Sequence, residues 1–197
     1  MAYQIYPSRD SLAATTKIAE LARSPNSRDR HTSNDPARLH QRELMNPTPM
    51  TIRALTPADE PRWRELFDAY NRFYEREPSE AITRYTYQRA MDPVSSVHAI
   101  VAVNMAGHVI GMANYLIHEN TTQLTPVCYL QDLFVDPEHR GGGVGKQLID
   151  WLIAEMKSHG WSRLYWNTKE TNYRGRSLYD KYTPHSGFLK YSINNNS

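Results

Sequence analysis

Residues 140–148 read RGGGVGKQL and place four glycines within five positions, shortly after the apolar run YLQDLFV and directly before a helix-like stretch. Glycine costs folding entropy, so a cluster of it indicates that something must come close to the main chain. The backbone N–H groups of a strand-to-helix turn can bind a pyrophosphate without metal, aided by the helix dipole. The chemistry indicated is therefore phosphate binding, and the alternative is a tight turn that holds no ligand.

Two familiar phosphate-binding patterns do not fit this turn. A dinucleotide-binding G-x-G-x-x-G that begins at Gly141 would need a glycine where Lys146 stands. A P-loop would need a glycine where Arg140 stands and a hydroxyl residue where Gln147 stands. What remains is R-x-x-G-x-G, formed by Arg140, Gly143 and Gly145.

A second segment, NYRGRSLYDK, follows at residues 172–181, in a predicted helix. Asn172 and Tyr179 are seven positions apart, about two helical turns, so their side chains share one face. With these two segments the chain resembles the GNAT superfamily of acyl-CoA-dependent N-acyltransferases, where R/Q-x-x-G-x-G/A wraps the CoA pyrophosphate and N-x-x-A-x-x-L-Y-x-K forms a helix. Gly175 stands in the alanine place. The likeness covers residue 50 to about residue 193, and it is nearest to spermidine/spermine and to small histone/polyamine or D-amino-acid acetyltransferases.

The resemblance implies that acetyl-CoA is the co-substrate and that no metal takes part. It places cofactor contacts at the end of the strand, along the glycine turn and at the start of the last helix. The residues implied are Leu133, Phe134, Val135, Arg140, Gly141, Gly142, Gly143, Val144, Gly145, Lys146 and Asn172. The family's tyrosine, here Tyr179, protonates the CoA thiolate; a phenol with a pKa of about 10 stays protonated at neutral pH and can donate. The alternative for Tyr179 is a packing role.

The acceptor amine needs help to lose a proton, because an alkylamine is only on the order of 0.1% neutral at physiological pH. Gln131 and Asp132 interrupt the apolar strand VCYLQDLFV, where unpaired burial would cost about 1–3 kcal/mol each. Polyamine acetyltransferases have a glutamate at the position of Gln131, so a basic role here falls to Asp132 or to water. Trp166 is a third candidate for the acceptor pocket. The alternative is that these side chains are structural.

The elements that would position these residues alternate as β-α-α-β-β-β-α-β-α-β from residue 50 onward. The predicted strands are TIRAL, VHAIVAVN, VIGMANYLIH, VCYLQDLFV, SRLYWNT and FLKYSI, and the predicted helices cover about 57–74, 80–91, 143–159 and 172–182. This order predicts an α/β fold, a GNAT-type mixed central sheet flanked by helices, with parallel pairing where a helix intervenes.

Residues 1–49 are polar and lack apolar periodicity, which predicts a disordered N-terminal extension. The N-acetyltransferase domain is therefore expected at residues 50–197. Met50 opens the first predicted strand, so we expect the functional protein to start near Met45 or Met50 rather than at Met1.

The composition is that of a globular domain. Of the 197 residues 40% are apolar and 22% charged, and no run approaches the roughly eighteen apolar residues that cross a bilayer. A net charge of +2 argues against nucleic acid or an anionic membrane as the main partner. Cys128 is the only cysteine, which excludes a disulfide within the chain and agrees with a reducing, cytoplasmic location.

The expected activity is transfer of an acetyl group from acetyl-CoA to a primary amine by direct attack in a ternary complex. A polyamine, a free amino acid and a lysine side chain all remain open as acceptors, and the family likeness suggests a homodimer. The alternative is a non-catalytic acyl-CoA-binding sensor or interaction module, for which Gln131 in place of a carboxylate is the best support.

Overall fold

The computed structural model describes residues 49–195, which form a five-stranded sheet with helices on both faces. The strands are β1 (Met50–Ala54), β2 (Val97–Asn104), β3 (Val109–His118), β4 (Val127–Val135) and β5 (Arg163–Trp166). The helices are α1 (Glu60–Phe73), α2 (Glu80–Met91), α3 (Val144–His159) and α4 (Tyr173–Tyr179), with short 3-10 turns at Pro57–Asp59 and Pro137–His139. The mixed α/β fold expected from the sequence is confirmed.

The sheet runs in the order β1-β2-β3-β4-β5, antiparallel except for the parallel pair β4–β5. Parallel pairing requires a long connection, and α3 supplies it. The β3–β4 register contains a bulge: Asn114 pairs with Asp132 and Tyr115 with Leu130, so Gln131 is the extra residue. A bulge re-aims side chains, and here it lies beside the strand end that leads to the glycine turn.

Each face of the sheet carries its own core. Helix α1 packs Trp63, Leu66 and Phe67 against one face, together with Val101 and Met112 of the strands. Helix α3 packs four apolar side chains against the other: Val144, Leu148, Ile149 and Leu152. Because these side chains are nearly or fully buried, each contributes roughly 1.5–3 kcal/mol of burial free energy. The end of β4, which leads to the glycine turn, therefore lies between two packed layers of helices.

Local signals explain where the helices begin and end. Thr56 and Asp59 form a capping box before α1, and Arg53 donates to the Asp59 carboxylate. The Arg53 guanidinium is the main reason why the pKa of Asp59 falls to about 2. Helix α3 begins after Gly143 and ends at Gly160, both in left-handed conformations with φ of 82° and 67°.

The predicted last strand, FLKYSI at residues 188–193, is wrong. No strand or helix occurs among residues 183–195, and the side chains of Phe188 and Ile193 are almost fully exposed. A strand needs a hydrogen-bonding neighbour and a surface that covers one face, and the described residues offer neither to this segment. The predictions for residues 1–48 lie outside the described residues. Between residues 49 and 195 no helix has the length and apolar character needed to cross a membrane.

Candidate active site

A cavity of about 370 Å³ lies between the end of β4, the glycine turn, α4 and the end of α1. Most of the cofactor residues predicted from the sequence line it, together with Tyr179. These are Leu133, Phe134, Val135, Arg140, Gly141, Gly143, Val144, Gly145, Lys146 and Asn172. Gly142 does not line the cavity, although both its neighbours do. The structure therefore brings the two sequence motifs to one cavity.

The glycine turn presents main chain rather than side chains to this cavity. Gly141 and Gly143 have φ of 91° and 82°, a region that side-chain-bearing residues rarely adopt, and a Cβ at either would meet nothing within 4 Å. The first helical N–H groups of α3 have no partner within the helix, because they precede its first turn. The arrangement leaves free amide donors where an anionic group can bind.

Four cationic side chains surround this turn. Arg140 is fixed by a hydrogen bond from Nε to the Val135 carbonyl (2.9 Å) and by contact with the Phe134 ring (5.1 Å). Burial lowers the pKa of Arg140, and the nearby Arg174 lowers it further. The other two cations, Lys146 and Lys181, also line the cavity. Such a group of cations suits phosphate oxygens.

Asn172 uses its side chain to start α4. Its Oδ1 accepts from the Gly175 amide (3.1 Å) and its Nδ2 donates to Thr168 Oγ1 (2.9 Å). A Cβ on Gly175 would lie 2.5 Å from Asn172 Nδ2 and 3.1 Å from Tyr179 Cε2. Close packing of Asn172 and Tyr179 around Gly175 therefore requires glycine in place of the family's alanine.

Tyr179 is suited to donate a proton. Burial, with a smaller effect from the Tyr74 hydroxyl, raises the pKa of Tyr179 to about 12. The phenol is therefore protonated at neutral pH, as an acid must be before it can protonate a leaving thiolate. Its ring packs against Trp166, with centroids 5.4 Å apart.

Part of the cavity lining comes from the end of α1, which sequence reasoning missed. Tyr70, Phe73 and Tyr74 line the cavity, and the rings of Tyr70 and Tyr74 are 5.0 Å apart. The available signal was the pair of tyrosines four positions apart in YNRFY, which share one helix face. Arg174 and Lys181 were missed as well, although both lie within the motif NYRGRSLYDK.

Two cations contact the Tyr74 ring. The Arg76 guanidinium carbon is 5.3 Å from its centroid and the Lys169 ammonium is 5.7 Å away. Glu75 adopts a left-handed φ of 55°, unusual for a residue other than glycine, and this turn brings Arg76 back onto Tyr74. Strain of this kind is often found at binding sites, so the turn is a candidate part of the acceptor site.

The three residues predicted to contact the acceptor do not line the cavity. Gln131 is exposed at the bulge, and its carbonyl accepts a hydrogen bond from the Tyr70 hydroxyl (3.2 Å). Asp132 is only 6% exposed and accepts from Asn114 Nδ2 (2.9 Å). Burial raises the pKa of this carboxyl, and the Asn114 hydrogen bond, the nearby Tyr70 hydroxyl and the Arg76 charge oppose the shift. Tyr70 lines the cavity, whereas Asp132 does not.

Trp166 also lies elsewhere than predicted. It pairs with Leu130 in the sheet and packs against Tyr179 and Tyr182 on the α3 side. Its partner Leu130 belongs to the same α3-side core, so Trp166 shares the face of its strand neighbour. Within residues 49–195 no group of three or more histidine, cysteine or acidic side chains is arranged to hold a metal ion.

Comparison with known proteins gives the family. The model of the Acetyltransferase (GNAT) family matches residues 63–183. A D-amino-acid N-acetyltransferase of Saccharomyces cerevisiae is 30% identical over 133 residues, which are 67% of this chain and 83% of that protein.

Solved structures agree in fold. The ribosomal-protein-alanine N-acetyltransferase of Brucella melitensis biovar Abortus superposes with a TM-score of 0.64 at 22% identity, over 75% of this chain and 100% of that one. An aminoglycoside N-acetyltransferase in complex with CoA superposes with a TM-score of 0.62 at 20% identity, over 76% and 96%. At these identities the solved structures show the fold alone. The activity is inferred from the family match and the yeast relative. The chain belongs to the GNAT acetyltransferase family and is an acetyl-CoA-dependent N-acetyltransferase.

Proposed function

We propose that this enzyme acetylates the amino group of a free amino acid. The observation that carries the proposal is the placement of Arg76 and Lys169 against the Tyr74 ring, 5.3 Å and 5.7 Å from its centroid. Tyr74 lines the cavity with Tyr179, and the two cations lie behind it, outside the cavity lining. The yeast relative, which is named for acetylating D-amino acids, supports the same class of acceptor. A polyamine carries only positive charge, so these two cations would repel it.

The two cations can hold a carboxylate because neither is strongly neutralised. Within residues 49–195 Arg76 forms no salt bridge, although its charge acts on the buried Asp132. Lys169 has one acidic neighbour, Glu75 at 3.9 Å, and both side chains are more than half exposed, so this pair contributes little. A guanidinium also matches a carboxylate with two parallel hydrogen bonds.

In the proposed reaction, acetyl-CoA supplies a thioester whose carbonyl carbon is attacked by the neutral amine in a ternary complex. The main-chain amides of the glycine turn and the side chains of Arg140 and Arg174 bind the phosphates, and the end of β4 at Leu133–Val135 flanks the pantetheine arm. Tyr179 donates its proton to the departing sulfur. We propose no covalent enzyme intermediate, since no activated nucleophile among residues 49–195 lines the cavity.

A panel of amines tests this proposal. Thiol release from acetyl-CoA is measured with D- and L-amino acids, with their decarboxylated amines, with spermidine and with a lysine-containing peptide. We expect the amino acids to give the highest kcat/KM. A higher kcat/KM for spermidine or for the peptide would refute the amino-acid assignment while leaving the acetyltransferase activity in place.

We also propose that the N-acetyltransferase domain spans residues 50–197 and that the enzyme is a homodimer. The exposed apolar side chains at residues 188–193 are the kind of surface that a second subunit covers. Sedimentation equilibrium measures the mass in solution, and a mass equal to one chain at micromolar concentration would refute the dimer.

A further inference from the structure

A row of buried polar contacts leads from the interior of the sheet to the acceptor side of the cavity. Trp63 Nε1 donates to Asn114 Oδ1 (3.1 Å), and Asn114 Nδ2 donates to Asp132 Oδ2 (2.9 Å). The Tyr70 hydroxyl donates to the Gln131 carbonyl (3.2 Å) and lies beside the Asp132 carboxylate. The side chains of Trp63, Asn114, Asp132 and Tyr70 are all more than nine-tenths buried, and of these four only Tyr70 lines the cavity.

Stability alone does not account for a carboxyl group at position 132. A buried carboxylate is costly even when it is paired, and an apolar residue in the same space is often no less stable. The bulge at Gln131 sets Asp132 opposite Asn114 and beside Tyr70, whereas the regular pairing would point it to the other face. The bulge therefore brings this carboxyl group next to a tyrosine of the cavity.

We propose that Tyr70 and Asp132 form a proton relay that deprotonates the acceptor amine. The Tyr70 hydroxyl first turns from the Gln131 carbonyl to the Asp132 carboxylate. The acceptor ammonium then gives one proton to Tyr70 Oη while the hydroxyl proton passes to that carboxylate. Tyr70 is neutral before and after the step, Asp132 becomes a carboxylic acid, and the amine is left neutral and able to attack. The nitrogen loses its second proton to water after the attack, and Tyr179 regains from water the proton that it gives to the thiolate, so these two transfers cancel. After product release, Asp132 returns its proton to water by the same route.

The electrostatic surroundings favour this direction of transfer. Burial raises the pKa of Asp132, so the protonated carboxyl is not a costly product. Burial also raises the pKa of Tyr70 far above its ordinary value, with the Asp132 charge as the second cause, so Tyr70 acts as a neutral bridge. The groups that face Asp132 are Tyr70, the neutral Asn114 and Arg76, and all three favour the ionised carboxylate.

These roles differ in kind. Tyr70 would touch the substrate and is the catalytic residue of the relay. Asp132 acts through Tyr70, and Asn114 and Trp63 act through Asp132, so these three are positioning residues. The relay rests on the proposed function for its acceptor, but it applies to any amine that enters the same cavity.

The test is a pair of pH profiles of kcat, each measured with the amine that the wild type acetylates fastest. Tyr70→Phe keeps the ring and removes one oxygen, and Asp132→Asn keeps the shape and the contact with Asn114. We expect each to lower kcat at pH 7 by about 100-fold or more, with the KM for acetyl-CoA unchanged. The loss should shrink as the pH passes the pKa of the amine, because the substrate then arrives neutral. A purely structural role would give a loss that does not depend on pH.

Two further variants complete the design. The kcat of the double variant Tyr70→Phe/Asp132→Asn should be no lower than that of the less active single variant. The effects of groups that act as one unit are not additive. Tyr115→Phe is the matched control, because Tyr115 is a similarly buried tyrosine, 8% exposed against 6% for Tyr70, that packs on the α3 side outside the cavity. It should show wild-type kinetics.

The possible failures are distinct. Wild-type kcat in Tyr70→Phe at pH 7, a loss that is equal at every pH, or losses that multiply in the double variant would each overturn the relay alone. Turnover of spermidine instead of amino acids would overturn the acceptor assignment and leave the relay tested on spermidine. Absence of thiol release with every amine would overturn both. If Asp132→Asn melts below the assay temperature, the pH profile of Tyr70→Phe decides by itself.

Discussion

The rings of Trp166 and Tyr179 pack together with centroids 5.4 Å apart and planes inclined by 56°. Trp166 comes from β5 and Tyr179 from the end of α4, so this contact fixes the proposed acid against the sheet. A tilted aromatic pair of this kind contributes about 0.5–1.5 kcal/mol beyond its burial. Trp166 is therefore a support for Tyr179 rather than part of the acceptor pocket.

Replacement of Trp166 should affect turnover more than substrate binding. In Trp166→Leu the Tyr179 ring loses its partner, and we expect kcat to fall roughly tenfold because a proton donor displaced by about 1 Å is less effective. The KM for acetyl-CoA should stay within about twofold. Trp161→Leu is the control. Trp161 stacks on the ring of His159, the last residue of α3, and neither residue lines the cavity. An equal loss of kcat in the control would show that the effect is one of general packing.

Removal of the Tyr179 hydroxyl should abolish most of the turnover. We expect Tyr179→Phe to lower kcat by about 100- to 10,000-fold, the usual range for loss of a general acid, while CoA still binds in calorimetry. Tyr173→Phe, on the exposed side of the same helix, should be neutral. An unchanged kcat in Tyr179→Phe would contradict the acid role.

The wild-type pH profile gives a second test of Tyr179. Because its pKa is raised to about 12, the phenol keeps its proton throughout the range in which the enzyme can be assayed. No decline of kcat on the alkaline side should therefore come from Tyr179 below about pH 11. A decline near pH 10 that disappears in Tyr179→Phe would show an ordinary phenol instead.

The glycine turn can be tested with two glycines of similar conformation. Gly143 and Gly160 both have positive φ and open space where a Cβ would stand, so alanine at either costs about 1–2 kcal/mol of backbone strain. Of the two, only Gly143 lines the cavity. We expect similar losses of thermal stability in Gly143→Ala and Gly160→Ala, but weaker CoA binding only in the former. Equal CoA affinity in the two variants would show that the turn does not bind the cofactor.

The Arg53–Asp59 pair predicts how stability depends on pH. The pKa of Asp59 is depressed to about 2, so its contribution is present above the ordinary carboxyl pKa of 3.8 and is lost as the pH falls through 2. The contribution is at most about 2 kcal/mol. Asp59→Asn should lower the urea midpoint at pH 7, and the difference from wild type should shrink toward pH 2. Asp68→Asn, an exposed carboxylate on α1, should show neither effect.

The part of the cavity formed by the glycine turn and α4 could be predicted because its signals are local. Gly143 and Gly145 indicate a turn within a few residues of chain, and Asn172 and Tyr179 share one short helix. The strands and helices up to residue 179 follow from periodicity and caps in the same way. The strand predicted at residues 188–193 failed because apolar alternation says nothing about whether a neighbouring strand exists.

The part of the cavity that α1 contributes could not be predicted because it depends on tertiary packing. Tyr70 and Tyr74 reach the cavity only because α1 packs across β4, and no local pattern marks that contact. The bulge at Gln131 is equally invisible, yet it decides which later side chains of β4 face α1. The extra residue, Gln131, is exposed there and does not line the cavity.

The most direct test of the amino-acid assignment is the ratio of kcat/KM for an amino acid to that for its decarboxylated amine, measured in the wild type and in Arg76→Gln. A charge-assisted contact with the carboxylate is worth about 1.5–3 kcal/mol, or roughly 10- to 100-fold in this ratio. We predict a wild-type ratio of that size and a ratio that falls toward one in Arg76→Gln. A wild-type ratio of one or less, or a high ratio that Arg76→Gln leaves unchanged, would contradict the account.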